Sequence, residues 1–174
     1  AGAGVIFAPV STNYAQLIIE AAGAQGFEGH LLGSDTWDNN MVIESAKGKS
    51  VNVEITTFYQ EGGAPEFDAG IKEWMNANAD ALTNNGGNDT IAAVTAMGYD
   101  AYYVALEALK AAGSTDKAAV KAALPDVTYT GVSGSIAFDE QGDAIRDTAY
   151  IKTADTANNA WTLETVQTLS LIHI

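Results

Sequence analysis

The sequence contains no cysteine, which excludes disulfides, thiolate metal sites and thiol nucleophiles together. Basic residues are scarce. Lys and Arg number 8 against 22 Asp and Glu, a formal net charge of −14. A surface that acidic repels phosphates, so nucleic acid and anionic membranes are poor partners. No apolar run approaches the length of a bilayer span. Histidine occurs only as His30 and His173. What the chain does have is apolar material: 47% hydrophobic residues and a mean hydropathy of +0.01. That composition buries a core and is too apolar for disorder. The length of 174 residues suits one ordinary domain or two small ones.

The ends read as cut. The chain opens on AGAGVIFAPV without an initiator Met or a basic leader. Residues 4–10 read as a buried strand already under way, apolar on both faces. The closing residues 169–174, LSLIHI, resemble a translated sequencing adapter and are set aside as an artefact, which removes His173. The expectation is an open reading frame truncated at both ends. Expressed alone, such a chain is expected to be insoluble or partly folded.

Hydrophobic periodicity then gives the elements. Residues 5–10 predict a strand. Thr12 or Asn13 caps a helix running to about residue 25, with Leu17, Ile18, Ala21 and Ala22 on one face and Gly26 as its stop. Residues 30–32 form a short strand, 40–46 a brief helix, and the alternating run 51–57 a strand. The first 57 residues therefore read β-α-β-α-β, the unit of a parallel doubly wound sheet. Pro65 suits the first turn of a helix over 66–78. Residues 83–88 are a polar loop, and Asp89 caps a long helix to Lys110 closed by Gly113. Ser114 or Thr115 caps another helix, stopped by Pro125. The remainder is β, with strands near 127–129, 135–138, 148–153 and 161–166, and turns at 139–143 and 155–159.

Familiar chemistries are missing from this frame. The first βα turn, Ala8-Pro-Val-Ser-Thr-Asn13, has none of the glycines a dinucleotide needs, and no P-loop exists. Gly131-Val-Ser-Gly134 is not a nucleophile elbow. His30 stands at the start of a strand, the wrong end for a site, and reads as a solvated or packing histidine. Asp139-Glu-Gln-Gly-Asp143 lacks calcium-loop spacing and reads as a hairpin turn. No catalytic residue, metal site or cofactor is expected. The informative positions are the C-terminal ends of the first two strands, where open α/β sheets bind ligands. Ser11, Thr12 and Asn13 follow the first strand. Asp35, Thr36 and Trp37 follow the second. An acid, a hydroxyl and an aromatic ring there make a wall for a small cationic or zwitterionic ligand. Equally, Asp35 could simply cap the short helix that follows.

The runs LLGSDTWDN, FYQEGG with its later P-E-F, GYDAYYVALEALKAAGS and GVSGSIAFDEQGDAIRDTAYIK together resemble the C-terminal half of the branched-chain amino-acid-binding proteins. These are extracytoplasmic, substrate-binding receptors of ABC importers. The loop TNNGGND is similar to that of Gram-positive lipoprotein receptors. The resemblance spans about residues 4–168. It implies an α/β fold of the type I periplasmic-binding class: two doubly wound parallel-sheet lobes joined by hinge crossings and closing on a ligand. Residues 1–57 would end the second lobe. Residues 58–138 would return to the first lobe, and 139–168 would cross back and add a final hairpin. The resemblance also implies ligand contacts from Asp35 to an amino-acid ammonium and from Ser11 or Thr12, with Thr36 and Trp37 beside them. The groups that grip the carboxylate would lie upstream. The expected protein is a monomeric, non-enzymatic receptor in the periplasm or on the cell surface. Its ligand would be leucine, isoleucine, valine or similar, and its partner an ABC permease. The alternative is the extracellular amino-acid-sensing domain of a signalling receptor.

Overall fold

The computed structural model of the chain describes residues 2–146 and 148–168. The reading of residues 169–174, including His173, lies outside them. Strand β1 (Val5–Phe7), helix α1 (Thr12–Ala24), β2 (His30–Gly33), a 3-10 turn (Asp35–Trp37), α2 (Asn40–Ala46) and β3 (Asn52–Thr57) follow in order. β1, β2 and β3 pair in parallel, joined by helical crossovers as parallel pairing requires. After Thr57 the chain leaves this sheet. It forms α3 (Pro65–Ala77), α4 (Ala79–Asn84), α5 (Ala93–Ala112) and α6 (Lys117–Ala123). A small antiparallel sheet follows, of β4 (Tyr129–Gly131), β5 (Gly134–Phe138) and β6 (Ala144–Ile145). The chain then returns as the hairpin β7 (Thr148–Asp155) and β8 (Ala160–Thr168), and β7 pairs antiparallel with β3. The large sheet has the order β1-β2-β3-β7-β8.

The predicted βαβαβ opening is therefore present, and the hydrophobic pattern explains its packing. Val53, Ile55 and Thr57 point inward along β3 at period two. In α1 the buried face is Ala15, Ile19 and Ala22, packed against Leu31, Val53 and Ile55. Of the face expected only Ala22 is buried, and Leu17 is on the surface. Two further clusters form beyond the sheet, one around Tyr59, Met75, Ile91 and Ala96, the other around Val104, Ala108, Val127 and Ile136.

Several local expectations give way to tertiary contacts. β1 is three residues long, shorter than the expected 5–10. Among the described residues it pairs only with β2, and Val5 and Phe7 are 54% and 61% exposed. Neither Thr12 nor Asn13 caps α1. Ser11 holds that position without a side-chain cap bond, and the Thr12 hydroxyl is used elsewhere. Residues 83–88 are not all loop, since α4 takes in Thr83 and Asn84. Asp89 does not cap α5, which starts at Ala93. Its carboxylate instead accepts from Asn76 Nδ2 at 2.9 Å. The cap of α6 is Asp116, whose Oδ1 accepts from the Ala118 and Ala119 amides, not Ser114 or Thr115. The long helix does end at Gly113, in the left-handed region at φ 58°.

One buried acid fastens α5 to the small sheet. Asp100 is fully buried and accepts from the Val132 amide (2.8 Å), the Ser133 amide (2.8 Å) and the Ser133 hydroxyl (2.5 Å). The turn crosses so close above it that any Cβ at Gly131 would collide with the carboxylate. An acid placed to answer clustered amides is costly to remove, because the amides stay buried without acceptors. Asp100→Ala is expected to cost about 2–4 kcal/mol, and Ser133→Ala, which removes only the hydroxyl, about 1 kcal/mol. Urea unfolding midpoints of the two variants check that order.

Candidate ligand-binding site at the strand ends

The loops that leave β1 and β2 are locked onto each other through one carbonyl. Val10 O accepts from the Thr36 hydroxyl at 2.7 Å and from Trp37 Nε1 at 3.0 Å. The Thr12 hydroxyl donates to Thr36 O at 2.9 Å, and Ser34 Oγ lies 3.0 Å from Thr36 Oγ1. Ser11, Thr12, Asp35 and Thr36 are thus gathered at the carboxyl ends of adjacent parallel strands, as the sequence pattern places them.

Trp37 does not form an exposed wall. It is fully buried, packed on Gly33 so closely that a Cβ there would collide with the ring. Its indole is the floor beneath the loops, and the polar ring edge is satisfied by Val10. Asp35 is different. Asn39, not Asp35, caps α2: its Oδ1 accepts from the Met41 amide at 2.8 Å. The half-buried Asp35 carboxylate has no hydrogen bond or ion pair among the described residues. The capping alternative therefore falls away.

The next acid, Asp38, was not singled out in the sequence, yet it is the most connected side chain here. Its Oδ2 accepts from the Thr57 hydroxyl (2.9 Å), the Ala93 amide (3.1 Å) and the Lys152 ammonium (3.2 Å). Both members of the ion pair are almost wholly out of water, with side chains 1% and 3% exposed. The bond to Ala93 spans 55 residues and supplies the acceptor at the start of α5 that Asp89 does not. The only sequence trace of this arrangement is a lysine at an inward phase of β7. The register of β7 on β8 shifts at that lysine, between Ile151 and Lys152, and such irregularities re-aim side chains.

Around this pair lies a cavity of about 410 Å³, lined by Asp38, Gln60, Glu61, Lys72, Lys152 and Trp161 among others. Its charges are paired within the wall. Lys72 pairs with Glu61, whose hydrogen bond raises the lysine pKa. Nearby, the Tyr59 phenol donates to Asp68 Oδ1 at 2.6 Å. Burial first, then that bond, hold the phenol above its usual pKa, so it stays protonated. His30 is on the surface, 2.8 Å from Glu54 on the neighbouring strand. The segment 139–143 is a turn in which Asp139 Oδ1 accepts from the Gln141 and Asp143 amides. Among the described residues, no helix is long and apolar enough to cross a membrane.

Comparison with known proteins bears on the family and the fold. Residues 1–155 match the family model described as receptor family ligand binding region. Among solved structures, a leucine binding protein (LivK) from Thermotoga maritima superimposes with a TM-score of 0.75 at 27% identity. The match covers 95% of this chain and 45% of that one. An isoleucine complex of the branched-chain amino acid transporter substrate binding protein LivJ from Streptococcus pneumoniae gives 0.64 at 19% identity, covering 95% and 44%. A leucine complex of an ABC transporter substrate-binding protein from Desulfitobacterium hafniense gives 0.63 at 22%, covering 93% and 44%. The latter two likenesses concern the fold alone. No curated protein matches at the same stringency. The chain spans less than half the length of these structures, and its fold is that of the type I periplasmic-binding proteins.

The Asp38–Lys152 pair yields a direct test. Lys152→Met leaves a buried carboxylate without its counter-ion, and is expected to cost about 3–5 kcal/mol. Combining it with Asp38→Asn removes the stranded charge and keeps an acceptor for Thr57 and Ala93. The double variant should therefore unfold at higher denaturant than Lys152→Met alone.

Proposed function

Since the chain belongs to the receptor family ligand binding region family, we propose that it is the ligand-gripping C-terminal part of an amino-acid receptor serving an ABC importer. The observation that carries this reading is the unpartnered Asp35 carboxylate at the mouth of the β1 and β2 loops. Its neighbours Thr12, Thr36 and Trp37 are already committed: Thr12 and Thr36 hold the loops, and Trp37 is tied to Val10. A free acid on a rigid rim suits the α-ammonium of an amino acid, through a charge-assisted hydrogen bond. Ser11 stands beside it at the start of α1, where a polar ligand group meets a helix N-terminus. Thr12, Thr36 and Trp37 act in this reading by fixing the rim and its floor.

Residues 1–57 and the β7–β8 hairpin form the part of one lobe, and residues 58–138 return to the other. The chain crosses between them after Thr57 and before Thr148. Ligand would be held between the lobes, with its carboxylate bound by the opposite one. The names of the structural relatives favour leucine, isoleucine or valine as ligand. An extracytoplasmic setting, in the periplasm or as a surface lipoprotein, a monomeric state and an ABC permease as partner follow from the same role. The family description also fits a sensing domain of a signalling receptor. Reconstitution with a permease separates the two, because only a transport receptor stimulates uptake.

In the protein that carries this chain, Asp35→Asn is expected to weaken amino-acid binding about tenfold or more, the loss of one charge-assisted bond. Thermal stability should hardly change, because Asp35 makes no contact that supports the fold. Calorimetric titration of wild type and variant with leucine, isoleucine and valine reads both affinity and ligand preference. Unchanged affinity would remove Asp35 from the site.

A further inference from the structure

Arg146 is the only arginine in the chain, and its surroundings are unlike those of the paired lysines. Lys47, Lys49, Lys72, Lys110 and Lys152 each have a carboxylate partner. Arg146 has none among the described residues. Its guanidinium is instead held by neutral groups. It lies over the Phe58 ring, 5.4 Å from the centroid, and donates to Ser133 O at 3.0 Å and Ser133 Oγ at 3.2 Å. Ser133 is itself fixed by Asp100. The cation is thus positioned without being neutralised, and N–H donors beyond those two remain.

These groups face a cavity of about 200 Å³, lined by Phe58, Ser133, Ser135, Arg146, Thr148 and Tyr150 among others. Among the described residues, no acidic side chain lines it. The hydroxyls of Ser135 and Tyr150 have no hydrogen-bond partner among the described residues. A half-buried, uncompensated guanidinium with two hydroxyls beside it and an aromatic ring against it recognises a planar oxyanion with a small apolar tail. Against a net charge of −14, a guanidinium with no carboxylate partner among the described residues gives an anion a local attraction.

We propose that this pocket is a second ligand site, distinct from the strand-end rim, that takes a small monocarboxylate. The carboxylate is gripped by the Arg146 fork and by the Ser135 and Tyr150 hydroxyls, with its alkyl group on Phe58. Phe58 leaves the large sheet and Tyr150 belongs to β7 of that sheet, whereas Ser133 and Ser135 belong to the small sheet and its turn. A bound carboxylate therefore ties the two sheets together across the chain's crossings.

The test is titration of the protein that carries this chain with sodium propionate, using sodium chloride as the ionic control and propionamide as the uncharged isostere. Saturation-transfer NMR reads binding, and the thermal midpoint reads stabilisation. Saturable binding of propionate but not propionamide is expected, with a raised midpoint. Arg146→Gln should abolish it. Arg146→Lys, which keeps charge but loses the fork, should weaken it about tenfold. Leucine affinity should be unchanged in Arg146→Gln, whereas Asp35→Asn should leave propionate binding intact, so the two sites fail independently. If Arg146→Gln does not fold, Tyr150→Phe and Ser135→Ala carry the test, each expected to weaken propionate severalfold. Equal binding of propionate and propionamide, no saturable propionate signal, or propionate binding lost in Asp35→Asn and kept in the pocket variants would overturn the proposal.

Discussion

The architecture turns on a buried carboxylate that has to be satisfied. Asp38 is held almost wholly out of water. An isolated charge there would be prohibitively costly, so partners must be brought to it from distant parts of the chain. They come from the end of β3, the start of α5 and the middle of β7. A single oxygen thereby joins the segment that leaves the large sheet, the helix beyond it and the strand that returns. Replacing such a pair by apolar groups of similar shape can be neutral in stability. What the charge adds is geometry, because its hydrogen bonds have direction and van der Waals packing has little.

The same loop shows how neighbouring residues divide their work. Trp37 and Asp38 point inward, and Thr36 turns to the Val10 carbonyl. Asp35 is left at the rim with no duty to the fold. A ligand-binding carboxylate needs that combination: a rigid backbone beneath it and an unspent charge. Rigidity matters because a side chain already held near its bound position loses less freedom when the ligand arrives.

The acidic composition also acquires a structural meaning. Lys47, Lys49, Lys72 and Lys110 lie beside carboxylates outside the buried core, where such pairs contribute little to stability. The two basic side chains withdrawn furthest from this pattern sit at the crossings. Lys152 is neutralised by Asp38, and Arg146 is held by an aromatic face and a serine.

The sequence by itself determined the local elements whose signals are short-ranged. The alternating run of β3, the left-handed Gly113 and Pro65 at the start of α3 were all legible, as were the β-α-β-α-β order and the placing of Ser11, Thr12, Asp35 and Thr36 at strand ends. The buried face of α1 was not, because its apolar residues lie on more than one side and only the sheet decides which side is covered. Tertiary structure decided the rest. Asp89 has the chemistry of a cap, but the acceptor for α5 comes from Asp38. Trp37 looks like a pocket wall, but Gly33 leaves a hollow that draws its ring inward. The role of Asp38 left almost no local trace, because a hydrogen bond across 55 residues or an ion pair across 114 is written in no window of the sequence. Periodicity reports which face of an element is apolar. It does not report which distant polar group will be carried there.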